Sequence, residues 1–175
     1  MAKGLKRCRI LACAHSNVAT DNLLKGLLDI GGVAPLGLNG EVVDRSSLRV
    51  VRLGRPVSIR SSLWNYTLDA LLQRDENWVG SRQRLDEAIA QVAEARNNGS
   101  SRDLGIAHGE LSKARREYEV TEMLCTHHIL MRADVVVSTC IGVGSEMLHS
   151  FVRTEEVRFN SVIVDEAAQC MVALP

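Results

Sequence analysis

The chain has 175 residues, of which 46% are hydrophobic and 3% aromatic, and this length and composition suit one globular domain with an ample core. Lysine plus arginine and aspartate plus glutamate each number 21, so the overall charge gives no electrostatic argument for binding nucleic acid. The five cysteines are odd in number and form no CxxC pair, which argues against a disulfide framework and against a zinc knuckle.

The N-terminal segment is basic and then apolar, but its apolar run is shorter than the ~7 residues that a secretory signal peptide needs. No stretch approaches the ~18 to 20 apolar residues that cross a bilayer. We therefore expect a soluble, reduced, intracellular protein that is cytoplasmic or nuclear and has no membrane partner.

The first predicted elements are a buried strand over residues 9–14 and a helix over about residues 17–29, which Gly31 and Gly32 end. The helix side that can cover a sheet carries Val18, Leu23, Leu24, Leu27 and Leu28. Ser16 is placed to cap the helix start. The free amides there would also suit a phosphate, so the turn is either a simple cap or a phosphate-binding turn.

A second strand is predicted over residues 48–53, followed by a turn at residues 54–56. We assign it no catalytic role, because a peripheral structural strand would show the same pattern.

Charged residues with apolar positions at helical spacing dominate from residue 81 to residue 132. Leu85, Ile89 and Val92 mark one helix, and Leu104, Ala107, Leu111, Ala114 and Tyr118 mark another. The segment 97–101 is a turn signal between them. The pattern predicts an antiparallel helical hairpin, which is either a solvated insertion or a contact surface.

Two further strands carry the candidate chemistry. Residues 134–139 form a β-branched run that leads into a polar, glycine-containing loop at residues 140–145. Val162–Val164 form another such run, which is typical of a parallel strand covered on both faces. Asp165 and Glu166 follow it, and two acids there can hold a divalent cation and polarise a water. Alternatively, they simply open the next helix.

The segment DEAAQ at residues 165–169, after an apolar strand, resembles Walker B (motif II) of superfamily 1 nucleic-acid helicases. Residues 11–24, LACAHSNVATDNLL, resemble motif Ia of the same helicases, and residues 134–145 resemble their post-stalk motif. The resemblance is to the group that includes the nonsense-mediated-decay helicase, senataxin and the immunoglobulin mu-switch-region binding helicase. That family usually has proline where this chain has His15.

The resemblance implies a role for each motif residue. Asp165 would organise magnesium, Glu166 would be the general base for hydrolysis of ATP, and Gln169 would belong to the same nucleotide site. The residues that would contact the backbone of a single strand are Ser16, Asn17, Asp21 and Thr139.

The fold that the resemblance implies is α/β: a partial RecA-like P-loop NTPase parallel sheet with an inserted antiparallel helical hairpin, or stalk. We predict a first part of this domain at residues 1–80, the hairpin at 81–132 and the remainder at 133–175.

No G-x-x-x-x-G-K-[ST] phosphate loop occurs in the 175 residues. We therefore expect a fragment of an ATP-dependent RNA or DNA helicase that lacks Walker A and the second RecA-like domain and is inactive by itself. ATP and Mg²⁺ would be cofactors of the complete protein, and single-stranded RNA or DNA its partner. The alternative is a non-catalytic nucleic-acid-binding or protein-interaction module, with the hairpin as a surface for a protein partner.

Overall fold

The computed structural model of the chain describes residues 8–36, 47–55, 59–97, 101–154 and 157–169. The chain divides into two compact units, one of residues 1–71 and 127–175 and the other of residues 72–126. The boundaries predicted from the sequence, after residues 80 and 132, stay a prediction. In the described ranges no helix combines the length and apolar character that crossing a membrane requires.

The first unit is built on a parallel sheet of five strands in the order β2-β3-β4-β1-β5. The strands are β1 (Ile10–Ala14), β2 (Val33–Pro35), β3 (Leu48–Arg52), β4 (Val135–Thr139) and β5 (Ser161–Asp165). The helices are α1 (Asn17–Ile30), α2 (Leu68–Leu72), α3 (Glu76–Asn97), α4 (Ser101–Arg132), α5 (Cys140–Val143) and α6 (Glu146–Thr154). This architecture confirms the predicted α/β class and the partial RecA-like sheet.

The core lies on both faces of the central strands. On one face Val50, Val135 and Val137 pack with Ala12 under Leu24 of α1. The side chains that alternate with them along the strands are buried as well: Leu11, Val51 and Val136. Burial on both faces explains why these strands read as continuous apolar runs.

Helix α1 begins and ends where its sequence predicts. The Ser16 hydroxyl accepts a hydrogen bond from the Ala19 amide at 3.2 Å, which satisfies one free donor of the first turn. Gly31 and Gly32 have φ angles of 83° and 74°, a left-handed backbone that glycine adopts readily. The prediction that Val18 covers the sheet is wrong, because this side chain is 61% exposed at the solvent side of the first turn.

Strand β5 forms as predicted, but its predicted burial is wrong. Val162, Ile163 and Val164 are 60%, 50% and 41% exposed. Strand β5 is at the edge of the described sheet and pairs with β1 alone, and the exposure of its side chains shows that the described residues leave its faces largely uncovered. Its apolar run is therefore typical of an interior strand that is buried on both faces, although β5 lies at the edge of the described sheet.

Two short elements were not predicted in their observed form. Strand β2 contains Pro35, which an edge strand tolerates because one side of its backbone donates no ladder hydrogen bond. The polar loop expected after β4 is instead the single helical turn α5, followed by a turn at Gly144.

The second unit contains α3 and most of α4, which run antiparallel. Trp78, near the start of α3, lies beside Tyr118, midway along α4, with 6.0 Å between the ring centroids and the rings tilted by 57°. Ala95, near the end of α3, lines a cleft together with Ala107, early in α4. The seam of α3 contains the small residues Ser81, Ala88 and Ala95 beside Leu85, whereas Ile89, predicted to lie in it, is 48% exposed. The turn residues 98–100 lie outside the described residues.

Candidate functional site

The parallel register brings the predicted site segments to one edge of the sheet. Ala14, the last residue of β1, is paired with Thr139 of β4 on one side and with Asp165 of β5 on the other. With about 4.8 Å between neighbouring strands, Thr139 and Asp165 lie about 10 Å apart across this row. Residues 15–17 follow Ala14 directly. The strand-binding segments and the acid pair therefore share the carboxyl edge, where open parallel sheets bind ligands.

A buried polar network holds the turn after β1. The guanidinium of Arg52, 0% exposed, lies 3.3 Å from Oδ1 of Asp21 and donates to Oδ1 of Asn17 at 3.1 Å. The second oxygen of Asp21 accepts the amide of Arg60 at 3.0 Å. Asp21 is itself only 2% exposed, so its carboxylate faces the interior and not solvent.

The network also fixes the backbone after β3. Arg52 donates to the carbonyl oxygen of Leu53, and a side chain added at Gly54 would put its first carbon 2.5 Å from the guanidinium. The φ angle of Gly54 is 150°, so glycine is required there on both counts. Burial lowers the pKa of Arg52, and the charge and hydrogen bond of Asp21 oppose that shift. An arginine stays charged under these conditions, so the pair is ionic.

Thr139 caps the turn that follows β4. Its hydroxyl accepts the Gly142 amide at 3.0 Å, and its side chain is half-buried. Gly142 is closely surrounded: a carbon added there would lie 2.5 Å from the hydroxyl of Ser138 and 3.0 Å from that of Thr139. The Ser138 hydroxyl is buried and has no hydrogen-bond partner among the described residues. The close packing around Gly142 therefore fixes the conformation of the backbone that follows Thr139.

The two acids lie at the end of β5 with their side chains exposed. Asp165 is the last residue of the strand, and Glu166 has a φ of 50° before the short 3-10 helix Ala167–Gln169. A left-handed backbone at a residue other than glycine costs energy and is concentrated at functional sites. Oε2 of Glu166 lies 3.2 Å from Nδ1 of His15, the residue after β1.

The carboxylate of Asp165 fits a Mg²⁺ ion that is shared between the protein and phosphate groups. Magnesium is usually held by one or two carboxylates, with phosphate oxygens and water completing its shell. Asp165 offers one exposed carboxylate at the sheet edge. Over the described part of the chain, no three or more His, Cys, Asp or Glu side chains are grouped as a metal cage.

Sequence reasoning missed Arg52 and His15 as members of this site. Arg52 lies in a strand to which no chemistry was assigned. Its signal in the sequence is a charged side chain beside the apolar pair at residues 50 and 51, a signal that Arg49 of the same strand shares. His15 was recognised only as a departure from proline. Its neighbour Glu166 is 151 residues away in the sequence, and only the pairing of β1 with β5 brings the two together.

The comparison with known families decides the assignment. The model of the family described as AAA domain matches residues 1–173. The chain belongs to the AAA domain family. The resemblance to superfamily 1 helicases drawn from the Walker B and motif Ia segments is confirmed.

Individual relatives of this AAA domain are helicases or nucleic-acid-binding proteins by name. It is 28% identical to DNA polymerase alpha-associated DNA helicase A of Schizosaccharomyces pombe over 95% of the chain and 22% of that protein. It is 29% identical to DNA-binding protein SMUBP-2 of Mus musculus over 98% of the chain and 15% of that protein. It is 30% identical to ATP-dependent helicase NAM7 of Saccharomyces cerevisiae over 92% of the chain and 13% of that protein. The chain thus spans less than a quarter of the length of each.

Proposed function

We propose that this chain forms the strand-binding and acid-pair part of an ATP-dependent nucleic-acid helicase. The observation that carries the proposal is the row Thr139–Ala14–Asp165, which puts all the candidate segments on one sheet edge. A rigid parallel sheet can couple two ligands that bind along one edge, because displacement of either turn is transmitted through the same strands. The names of the relatives support the same class of activity.

Asp165 and Glu166 divide the hydrolytic work. In a bound state Mg²⁺ would supply charge neutralisation for the phosphates of ATP, with Asp165 as its ligand from this chain. Glu166 accepts a proton from the attacking water, a role for which its exposed carboxylate beyond the strand end is accessible. Gln169 closes the adjacent 3-10 helix and belongs to the same nucleotide site.

The strand-binding surface consists of the turns after β1 and β4. Ser16, Asn17 and Thr139 bring hydroxyl and amide groups to the edge, and such groups bond phosphate and sugar oxygens without reading sequence. Asp21 serves this surface indirectly: it is buried, and through Arg52 it fixes the position of Asn17. Both RNA and DNA single strands are compatible with contacts of this kind.

Hydrolysis requires a phosphate loop, because positioning and charge stabilisation dominate phosphoryl transfer. The 175 residues contain no such loop motif, so we propose that the chain works within a complete helicase, together with Walker A and a second RecA-like domain. Such a protein would act in the cytoplasm or nucleus. The isolated chain is expected to show no meaningful ATP turnover.

The test measures ATPase rate against single-strand concentration in the full-length natural protein that contains this chain. Glu166→Gln should lower the stimulated rate by about 100-fold or more, because it removes the base but retains the size of the side chain. Thr139→Ala should raise the strand concentration for half-maximal rate by about fivefold, which corresponds to one lost contact of ~1 kcal/mol. Thr139→Ser, which keeps the hydroxyl and the cap, is the matched control.

Normal hydrolysis by Glu166→Gln would show that the assigned base is wrong. Unchanged half-saturation in Thr139→Ala would reduce that residue to a structural cap. The non-catalytic alternative predicts a natural protein near 19.2 kDa that binds strands or proteins without ATP turnover, and robust strand-stimulated hydrolysis would exclude it. The hairpin as a surface for a protein partner stays a proposal, with exposed Val120, Met123 and Leu124 on α4 as its candidate contacts.

A further inference from the structure

We propose that His15 is a positioning residue that holds the carboxylate of Glu166 and links it to the strand-binding turn. The inference rests on the proposed function, since it concerns the orientation of the proposed base. Nδ1 of His15 lies 3.2 Å from Oε2 of Glu166, and the two side chains are 30% and 49% exposed. The contact joins the residue after β1 to the residue after β5.

The ring nitrogen requires a partner at this place. Nδ1 of His15 is buried, and the orientation of the two groups does not complete a hydrogen bond, so this polar atom is left unsatisfied among the described residues. A buried polar atom without a partner is costly, and a small rotation toward Oε2 removes the cost. Glu166 is therefore the partner that the local geometry offers to His15.

The carboxylate in turn needs an orienting group. Glu166 extends from a left-handed backbone at the sheet edge and is half exposed. An exposed glutamate samples several rotamers, whereas a general base works only when held within about 0.5 Å of its productive position. Within the described residues, His15 is the side chain found at ion-pair distance from this carboxylate.

The position of His15 in the chain adds a second role. It directly precedes Ser16, which caps α1, and Asn17, which Arg52 holds through a hydrogen bond. Movement of this turn on binding a strand therefore reaches Glu166 through a single contact. Proline, the usual residue here in the resembled helicases, has no side-chain donor for such a contact. The contact between His15 and Glu166 therefore depends on the histidine of this sequence.

The first arm of the test uses the 175-residue chain and needs no activity. NMR spectra of the imidazole nitrogens are compared between the wild type and Glu166→Asn, a substitution that tolerates a left-handed backbone. The His15 ring signals should shift, while those of His128, an exposed histidine, should stay in place. Unmoved His15 signals in either Glu166→Asn or Glu166→Ala, whichever keeps the wild-type amide spectrum, would overturn the contact.

The second arm uses the full-length natural protein that contains the chain. His15→Ala should lower the strand-stimulated kcat about tenfold, within the ~100-fold that a displaced catalytic group costs, and leave KM for ATP within about twofold. His15→Asn, whose amide nitrogen occupies the position of Nδ1, should recover most of the rate. His128→Ala is the matched control and should behave as the wild type.

The outcomes separate the two proposals. If Glu166→Gln hydrolyses ATP normally, the proposed function fails, and this inference fails with it. If Glu166→Gln is inactive while His15→Ala keeps the wild-type kcat, the base assignment stands and the positioning role of His15 is refuted. A loss in His15→Ala that His15→Asn does not rescue would likewise refute it, because that pattern indicates damage to the turn.

Discussion

Replacing Asp21 by alanine is expected to destabilise the sheet unit strongly. The substitution removes the charge that faces Arg52, whose guanidinium is 0% exposed and cannot turn to solvent. It also leaves the Arg60 amide without the carboxylate oxygen that it bonds at 3.0 Å. The other acceptors of Arg52, the side chain of Asn17 and the carbonyl of Leu53, are neutral.

The expected magnitude follows from these contacts. Removing one member of a buried ion pair costs about 3 to 5 kcal/mol, because the remaining charge is buried without compensation. A buried amide left unpaired adds about 1 to 3 kcal/mol. The two terms concern the same carboxylate and overlap, so we expect a loss of about 4 kcal/mol. A loss of this size is a large share of the ~5 to 15 kcal/mol that stabilises a typical domain.

The assay is urea denaturation of the 175-residue chain, followed by circular dichroism. Asp29→Ala is the matched control, because Asp29 lies on the same helix α1 and is exposed. It should change the free energy of unfolding by less than about 0.5 kcal/mol. The double variant Asp21→Ala with Arg52→Met should recover part of the loss, since it removes the uncompensated charge.

A small effect of Asp21→Ala would contradict this account of the buried pair. An Asp21→Ala variant that unfolds within about 1 kcal/mol of the wild type would mean that the pair is solvated in the native protein. The turn carrying Asn17 would then not be held by Arg52, and the positions of the strand-binding groups would lose their structural basis.

Four further outcomes are expected. Burial, with a hydrogen bond to a neighbouring carboxylate, raises the pKa of Cys125 from 9.0 to about 11, so at pH 8 it should resist alkylation in the native chain while exposed Cys8 reacts. As the pH rises, the thiol ionises in the unfolded chain before it does so in the folded chain, which favours unfolding. The free energy of unfolding of the wild type relative to Cys125→Ala should therefore decline from about pH 9 to pH 11, and a difference that does not change with pH would contradict the pKa shift. Gly142→Ala should cost about 1 to 3 kcal/mol in urea denaturation, partly recovered by adding Ser138→Ala, which removes the atom it strikes; no recovery would place the clash elsewhere. Replacing residues 72–126 by a flexible linker should leave the sheet unit folded by circular dichroism, whereas aggregation would show that it depends on the hairpin.

The strands and α1 could be predicted because their signals are local. β-branched runs indicate strands that are buried on both faces. The limits of α1 are indicated by Ser16 before its apolar side and by Gly31-Gly32 after it. The wrong predictions of burial have one cause: apolar character does not say which neighbour covers a side chain. Val162 and Ile89 are apolar and in regular elements, yet one lies at a sheet edge and the other outside the helical seam.

Because each candidate segment follows a predicted parallel strand, the sequence places these segments at strand ends of one sheet, but it does not give the order of the strands. Motif resemblance named Ser16, Thr139 and Asp165, but it could not give their spacing, which depends on β1 lying between β4 and β5. The same resemblance could not reveal that Asp21 is buried. That burial depends on Arg52, an arginine 31 residues away that the fold places beside α1.

Crosslinking a single strand to the full-length natural protein, with identification of the linked peptides, tests the shared edge most directly. The strand-binding turns predict crosslinks in two segments that are far apart in sequence, residues 15–17 and residues 139–142, on the same bound strand. Crosslinks confined to residues 72–126 would place the strand on the helical hairpin and contradict the proposal that the carboxyl edge of the sheet binds it.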